Sequence, residues 1–584
     1  MTAIDPISGP VRPGGRVEKS ALASSPVSRP RVRQGGEAGL RRELDEWSQN
    51  AAEFAERLRV IVYGGTPNAT AFSRLAHAEL AAENSEDAVR AADDCLNLVV
   101  QDGHRGSFDA ATAIAAIRLF LQVGYRSKVF YWLDRLPRTE TLRRIRASLA
   151  AEEKRWDDVI EILDGLESPE ADALRGYTLL SQGKPAEALK ELRSSARFET
   201  DPDTLLNMAF AFWQLGSRKK AIHHAMQAAR LAPFRRDIVF AFIELLLAAG
   251  DVQLASTEIA SLKQRDVVET PNFLVLQARV SLEAEQKVKA LALLKRALGD
   301  ARSAGIEGLV TEIESNLAIM NFREKCKTPE DYQQKLRRAI QKNPKDIILI
   351  QSLAESLNKS SNAAELRQLI APLDGEYAEE SLLFLRYRVA YLELRFRKAA
   401  ALALKWSQHD HFEPNAVSAA FLIHAEVTGD LELSCSMARS ALSRFRHDAL
   451  LVNNAAYVLA TAGRAKEARA AVHQIEEKPF YLVATAGLVE LTLGHIDSGL
   501  KLYRKASAMV DDYWDSNAKL ALMRLHQVLS LRRLGIYDKI DSMELFAKSL
   551  PDVNLPSEWQ ERPEFVLLWR IFRSNRWPWP WAAE

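Results

Sequence analysis

The residues able to do chemistry are few and scattered. His409 and His411 flank Asp410, so two imidazoles two positions apart would join a metal site if a third ligand reached them. The surrounding SQHDHFEP has no neighbouring cysteine and reads as a polar turn, so no metal is expected there. Cys95, Cys326 and Cys435 lie too far apart for a disulfide framework or a cysteine-based zinc knuckle. The serine-nucleophile elbow, the phosphate-binding loop, the dinucleotide fingerprint and the HExxH zinc helix are all absent. Carboxylate pairs such as Glu152-Glu153 and Asp157-Asp158 fall on charged helix surfaces, where solvation alone accounts for them. From Leu383 to Lys398, arginines interleave with Phe384, Tyr387, Tyr391 and Phe396, an alternation that can hold phosphates and stack bases. Helical spacing instead buries the aromatics and leaves the arginines in water. With 78 Lys+Arg against 77 Asp+Glu, no general basic field exists, and nucleic acid is not an expected partner. No catalytic site and no cofactor are expected.

The elements around these residues are helices. From Leu40 onward apolar residues recur at i, i+3, i+4 and i+7 in blocks separated by short breaks bearing Gly, Pro, Asn or Asp. No run of alternating β-branched residues offers a strand. Ala188, Ala221, Ala255 and Ala290 follow one another at intervals of 33, 34 and 35. Five residues before the first three stand Gly183, Gly216 and Gly250; the fourth has Glu285 instead. Gly429, Gly463 and Gly494 resume the pattern at spacings of 34 and 31. A helical hairpin explains both marks. The glycine ends the first helix in a left-handed backbone, and the alanine lets the second helix cross closely.

These blocks resemble the tetratricopeptide repeat, a helix–turn–helix unit of about 34 residues. LLNMAFAFWQLGSRKKAIHHAMQAARLAP matches its pattern through Ala209, Phe212, Gly216, Ala221, Ala228 and Pro233. Gly176, Leu179, Gly183 and Ala188 match in the preceding block, as do Ala456, Leu459, Gly463 and Ala468 later, and Gly487, Gly494, Tyr503 and Ala506 after them. The resemblance is strongest over residues 170–300 and 415–510. In AFSRLAHAELAAENSEDAVRAA, Ala76 and Ala88 match but the turn glycine is missing. The stretched interval from Ala290 to Tyr332 marks a kink or a seam. The resemblance implies an all-α fold, an α-solenoid wound as a right-handed superhelix, whose inner wall is lined by the first helix of each pair. It further implies that the groove holds peptides or helices of other proteins.

Counting back from the turn glycines places Tyr177, Asn207, Phe210, Trp213, Glu244 and Arg279 on that wall, with Asn453, Asn454 and Tyr457 in the second half. Asparagine amides can pair with a peptide backbone, and the aromatics either serve as rigid anchors or, for Phe210, Trp213 and Tyr457, pack between hairpins. The carboxylate clamp by which some of these repeats grip acidic chaperone tails is absent. Ala173, Tyr177, Asp237 and Ala241 stand where its basic and amide members would flank Asn207.

The expected organisation is a disordered Pro/Gly/Ser/Arg-rich tail over 1–39, repeats over 40–300 and 301–550, and a Trp/Pro-rich segment over 551–584. Residues 1–39 lack the apolar stretch of a secretory signal, and no run is long enough to span a membrane, so a cytoplasmic location is expected. Trp577, Trp579 and Trp581 end the chain in RWPWPWAAE. This strip either covers the open end of the last hairpin, docks on a partner, or touches a membrane interface. The functional expectation is a non-enzymatic adaptor, with an accessory subunit of an enzyme assembly, such as envelope-polysaccharide synthesis or secretion, as the alternative and helical-repeat RNA binding as a less favoured reading.

Overall fold

The computed structural model describes residues 51–64, 68–104, 108–195, 201–264, 270–510, 519, 522, 523, 526 and 560–574. The expected tail over 1–39 and the indoles of Trp577, Trp579 and Trp581 lie outside them. The described residues are all-α, and their one β feature is an isolated bridge between Asp374 and Tyr377.

Two compact units divide between Asn207 and Met208. In the first, the helix Ala51–Gly64 precedes four hairpins: Ala69–Ala81 with Ser85–His104, Ala110–Val123 with Arg126–Leu133, Glu140–Glu152 with Trp156–Leu163, and Pro169–Ser181 with Pro185–Ser195. In the second, the hairpin from Arg218–Leu231 onward leads through Arg236–Ala248 and Val252–Gln264, Pro271–Glu283 and Lys287–Ser303, Glu307–Lys325 and Pro329–Lys342, then Ile347–Ser356 and Ala363–Ile370. Leu383–Leu392 with Phe396–His409, Pro414–Val427 with Leu431–Arg444, Ala449–Thr461 with Ala465–Val472, and Phe480–Thr492 with Ile496–Ala508 continue it. The helix Pro202–Gln214 contains the division. The boundary expected near residue 300 lies inside the second unit.

The turns show why the repeat holds. At Gly216, φ is +75°; its amide donates to Trp213 O at 2.9 Å and the Ser217 amide to Phe212 O at 2.8 Å, closing a Schellman motif. The same pair of bonds forms at Glu285, with φ +60°, and at Glu83, Lys154 and Leu394, with φ +64°, +58° and +61°. Those residues accept left-handed strain because the turn requires a backbone shape, whatever the side chain. The block around Ala88 is therefore a true repeat, with Glu83 in the glycine slot. Ala88, Ala188, Ala221, Ala255, Ala290, Ala399 and Ala468 are all fully buried at the crossings. The stretched interval after Ala290 comes from two long helices, Lys287–Ser303 with 17 residues and Glu307–Lys325 with 19, joined by a left-handed turn at Gly305.

Candidate binding wall of the repeat stack

In the second unit the expected wall residues are mostly used by the chain itself. Trp213 is fully buried. Its indole Nε1 donates to the His411 carbonyl at 3.1 Å, 198 residues away, and Arg444 donates to the same oxygen at 3.2 Å. Phe412 stacks on Trp213 at 5.6 Å and meets Phe210 edge-on at 5.4 Å, while Phe445 meets Trp213 edge-on at 5.4 Å. Ser443 Oγ donates to the Gly216 carbonyl at 2.8 Å. Distant hairpins of this unit are thus fastened edge to edge. Phe210 and Trp213, expected on the wall either as anchors or as packing between hairpins, are both buried in this clasp, which is the packing alternative. The stretch read as a polar turn supplies its centre through His411 and Phe412, and burial pushes the Arg444 guanidinium down to about 10. The signal that sequence reasoning passed over was the lone Phe412 in a polar segment.

The asparagines are corrected in the same way. Asn453 and Asn454 are buried, and Asn454 Nδ2 donates to Ser418 Oγ at 2.7 Å. Asn453 Nδ2 donates to Asn454 Oδ1 at 3.0 Å and accepts, through Oδ1, from Thr485 Oγ1 at 2.7 Å. A polar ladder therefore joins three successive first helices, which answers the cost of burying an unpaired amide. Tyr457 is also buried, with the His526 ring edge-on at 5.1 Å.

The remaining expected residues keep some exposure. Glu244 and Arg279, on neighbouring first helices, form an ion pair with side chains 27% and 20% exposed. Asn207 is half-buried. In the first unit, Tyr177 meets Trp156 edge-on at 6.1 Å, and burial raises its phenol pKa.

Between Leu383 and Lys398 the four aromatics are buried as helical spacing predicts, but the arginines divide. Arg386 pairs with Asp374 and Glu379 in partial solvent. Arg388 is buried, donating through Nε to Ala354 O at 3.1 Å and through Nη2 to Leu357 O. It caps the end of the preceding first helix, a use for a buried guanidinium that periodicity does not reveal. Nearby, Glu355 and Glu426 are each pushed up to about 7 by desolvation. Among the described residues, no group of three His, Cys, Asp or Glu side chains is placed to hold a metal, and no helix is long and apolar enough to cross a membrane.

The C-terminal region returns to the first-helix wall. Leu522, Phe565, Leu567 and Leu568 belong to one core with Tyr387, Tyr391, Ala419 and Ile423. Glu561 accepts from the Ser360 amide at 2.5 Å through its carbonyl and from Ser361 Oγ at 3.1 Å through its carboxylate. Lys519 Nζ lies 5.8 Å from the centre of the Phe480 ring. Covering the last hairpin was one expected role for the strip bearing Trp577, Trp579 and Trp581, which lies outside the described residues. Of the described residues, Lys519 lies on the last hairpin at Phe480, and Phe565, Leu567 and Leu568 pack on earlier ones.

No family model matches the chain, and no curated protein does. Solved structures similar to it include a chain of the APC/C hetero-tetramer Cut9–Hcn1, at 13% identity over 82% of this chain and 87% of that one, with a TM-score of 0.46. Yeast Tom70 is similar at 12% identity over 65% of this chain and 94% of its own, with a TM-score of 0.28.

Proposed function

We propose that this tetratricopeptide-like stack of helical hairpins is a non-enzymatic scaffold that receives a segment of another protein on its first-helix wall. The observation that carries the reading is the seating of the chain's own C-terminal residues there. His526 lies against Tyr457, and Phe565, Leu567 and Leu568 join the core around Tyr387 and Tyr391. A wall that already takes an apolar segment has the chemistry to take a second one from a partner. The buried polar groups support a structural rather than a catalytic role: Asn453, Asn454, Ser418 and Thr485 bond to one another, and Arg388 bonds to backbone carbonyls.

The test is recovery of partners from native cells with the intact chain, compared with charge reversal at the partly exposed pair, Glu244→Arg with Arg279→Glu. Glu432→Arg on an exposed second helix is the control. Selective loss with the wall variant supports the scaffold. Equal recovery by all three chains, or recovery of none, argues against this wall as the receiving surface. Recovered proteins that are subunits of one enzyme assembly would favour the accessory-subunit form.

A further inference from the structure

We propose that the outer face of the helix Arg218–Leu231, with the turn that follows it, docks on a membrane surface bearing anionic phospholipids. The inference goes beyond the scaffold reading and does not depend on it. Residues 217–236 hold six Lys and Arg and no Asp or Glu, in a chain whose basic and acidic residues number 78 and 77. At about 100° per residue, Lys219, Lys220, His223, Arg230 and Leu231 fall within about 120° of the helix circumference. All five are exposed. Ala221, Ala225 and Ala228, fully buried at the crossing, occupy the other side. The exposed stripe runs about 15 Å along the axis from Lys220 to Arg230.

The cations of this stripe are largely uncommitted. Arg218 pairs with Asp251 and Arg235 with Asp237. Lys219, Arg230 and Arg236 enter no ion pair among the described residues, and Lys220 lies 5.4 Å from the centre of the Phe212 ring. On the next second helix, Val252–Gln264, the one acidic residue is Glu258, which is half-buried. Phe234 and Leu231 form an apolar tip. Phe234 is 80% exposed, the most exposed aromatic side chain among the described residues, and Leu231 is 47% exposed. Pro233 and Phe234 sit in the middle of a turn that the Arg235 amide closes on the Ala232 carbonyl at 3.0 Å. Arg230 and the exposed Arg236 flank that tip in sequence.

A bilayer matches this order of groups. Its phosphates lie outside its acyl region, so Lys220, Arg230 and Arg236 meet headgroups while Phe234 and Leu231 pass beneath them. A nucleic acid would answer the cations and one ring but offers nothing to Leu231. An acidic peptide would have to bring its own pocket for Phe234. The face belongs to a second helix, apart from the first-helix wall, so membrane contact leaves that wall open to a protein.

The experiment uses the full chain and sedimentation with vesicles of phosphatidylcholine, alone or mixed with phosphatidylglycerol. The chain should bind the mixed vesicles, more weakly as salt rises, and should not bind the neutral ones. Lys220→Glu with Arg230→Glu should weaken binding about twentyfold or more, because each cation near such a surface contributes about fivefold. Phe234→Ser should weaken it about tenfold. Lys295→Glu with Lys501→Glu, the same charge change at exposed positions of other second helices, should weaken it about twofold at most. In a second arm, Phe234→Cys carries the environment-sensitive fluorophore NBD, the native Cys95, Cys326 and Cys435 being buried. Its emission should rise and shift to the blue with the mixed vesicles only. No vesicle binding, equal binding by the charge-reversed pair and its control, equal binding by Phe234→Ser, or unchanged NBD emission would each overturn the proposal. Binding of single-stranded RNA or a polyglutamate peptide in place of vesicles, lost on charge reversal, would assign the face to that class and also overturn it.

Discussion

Replacing glycines in equivalent turns separates a local backbone cost from the closure of the second unit. Gly216, Gly250, Gly463 and Gly494 share a left-handed turn, with φ of +75°, +74°, +78° and +84°. An alanine in any of them incurs strain of roughly 1–2 kcal/mol. Only two of the four face another hairpin. A Cβ on Gly216 would lie 2.5 Å from Ser443 Oγ, and one on Gly250 would lie 2.4 Å from His447 Nδ1. Nothing stands within 4 Å of a Cβ on Gly463 or Gly494. Relieving those clashes means moving the side chains or parting the hairpins, with loss of the Ser443–Gly216 hydrogen bond, about 1 kcal/mol, and weakening of the Trp213 clasp. Gly216→Ala and Gly250→Ala should therefore cost about 2–4 kcal/mol, against about 1–2 kcal/mol for Gly463→Ala and Gly494→Ala. Denaturant unfolding of the intact chain measures the stabilities, and small-angle scattering should show expansion only for the first pair. Adding His447→Ala to Gly250→Ala should recover about 1 kcal/mol through relief of the clash. Equal losses at all four glycines, unchanged scattering and no recovery with His447→Ala would show that the hairpins are not fastened there in solution.

Asn454→Ala should lower stability by about 1–3 kcal/mol, because it leaves Ser418 and Asn453 without the amide that joins them; thermal melts check this, and an unchanged midpoint would remove the ladder. Glu426 is 1% exposed and its carboxyl is pushed up from 4.5 to about 7 by burial, so between those values the folded chain holds a proton that the unfolded chain has released. Stability should therefore fall as pH rises from about 4.5 to about 7 and level off above, and Glu426→Gln should reduce that slope, leaving the share of Glu355, and raise stability at pH 8 by roughly 1–3 kcal/mol, measured by denaturant titration at several pH values. Glu285→Gly, at an exposed turn position with φ +60°, should stabilise by about 0.5–1 kcal/mol, seen as a higher unfolding midpoint.

Local pattern was enough for the hairpins. Glycines at 31- to 34-residue spacing marked turns, and the alanines five positions on marked crossings, because both depend on contacts within one hairpin. Where Glu83, Lys154 or Leu394 fills the same turn, the signal vanished while the backbone motif persisted, since a Schellman turn is made of main-chain bonds. Exposure on the wall could not be read in this way. Counting from a turn gives the face on which Trp213, Asn453 or Tyr457 stands, but what covers that face is chain from elsewhere: His411 and Phe412 for Trp213, Thr485 for Asn453, His526 for Tyr457. A contact across 198 residues leaves no mark in a 34-residue period. Periodicity therefore determined the repeat and its register, and only tertiary packing decided which side chains were left to meet another molecule, because burial depends on everything that folds against a surface.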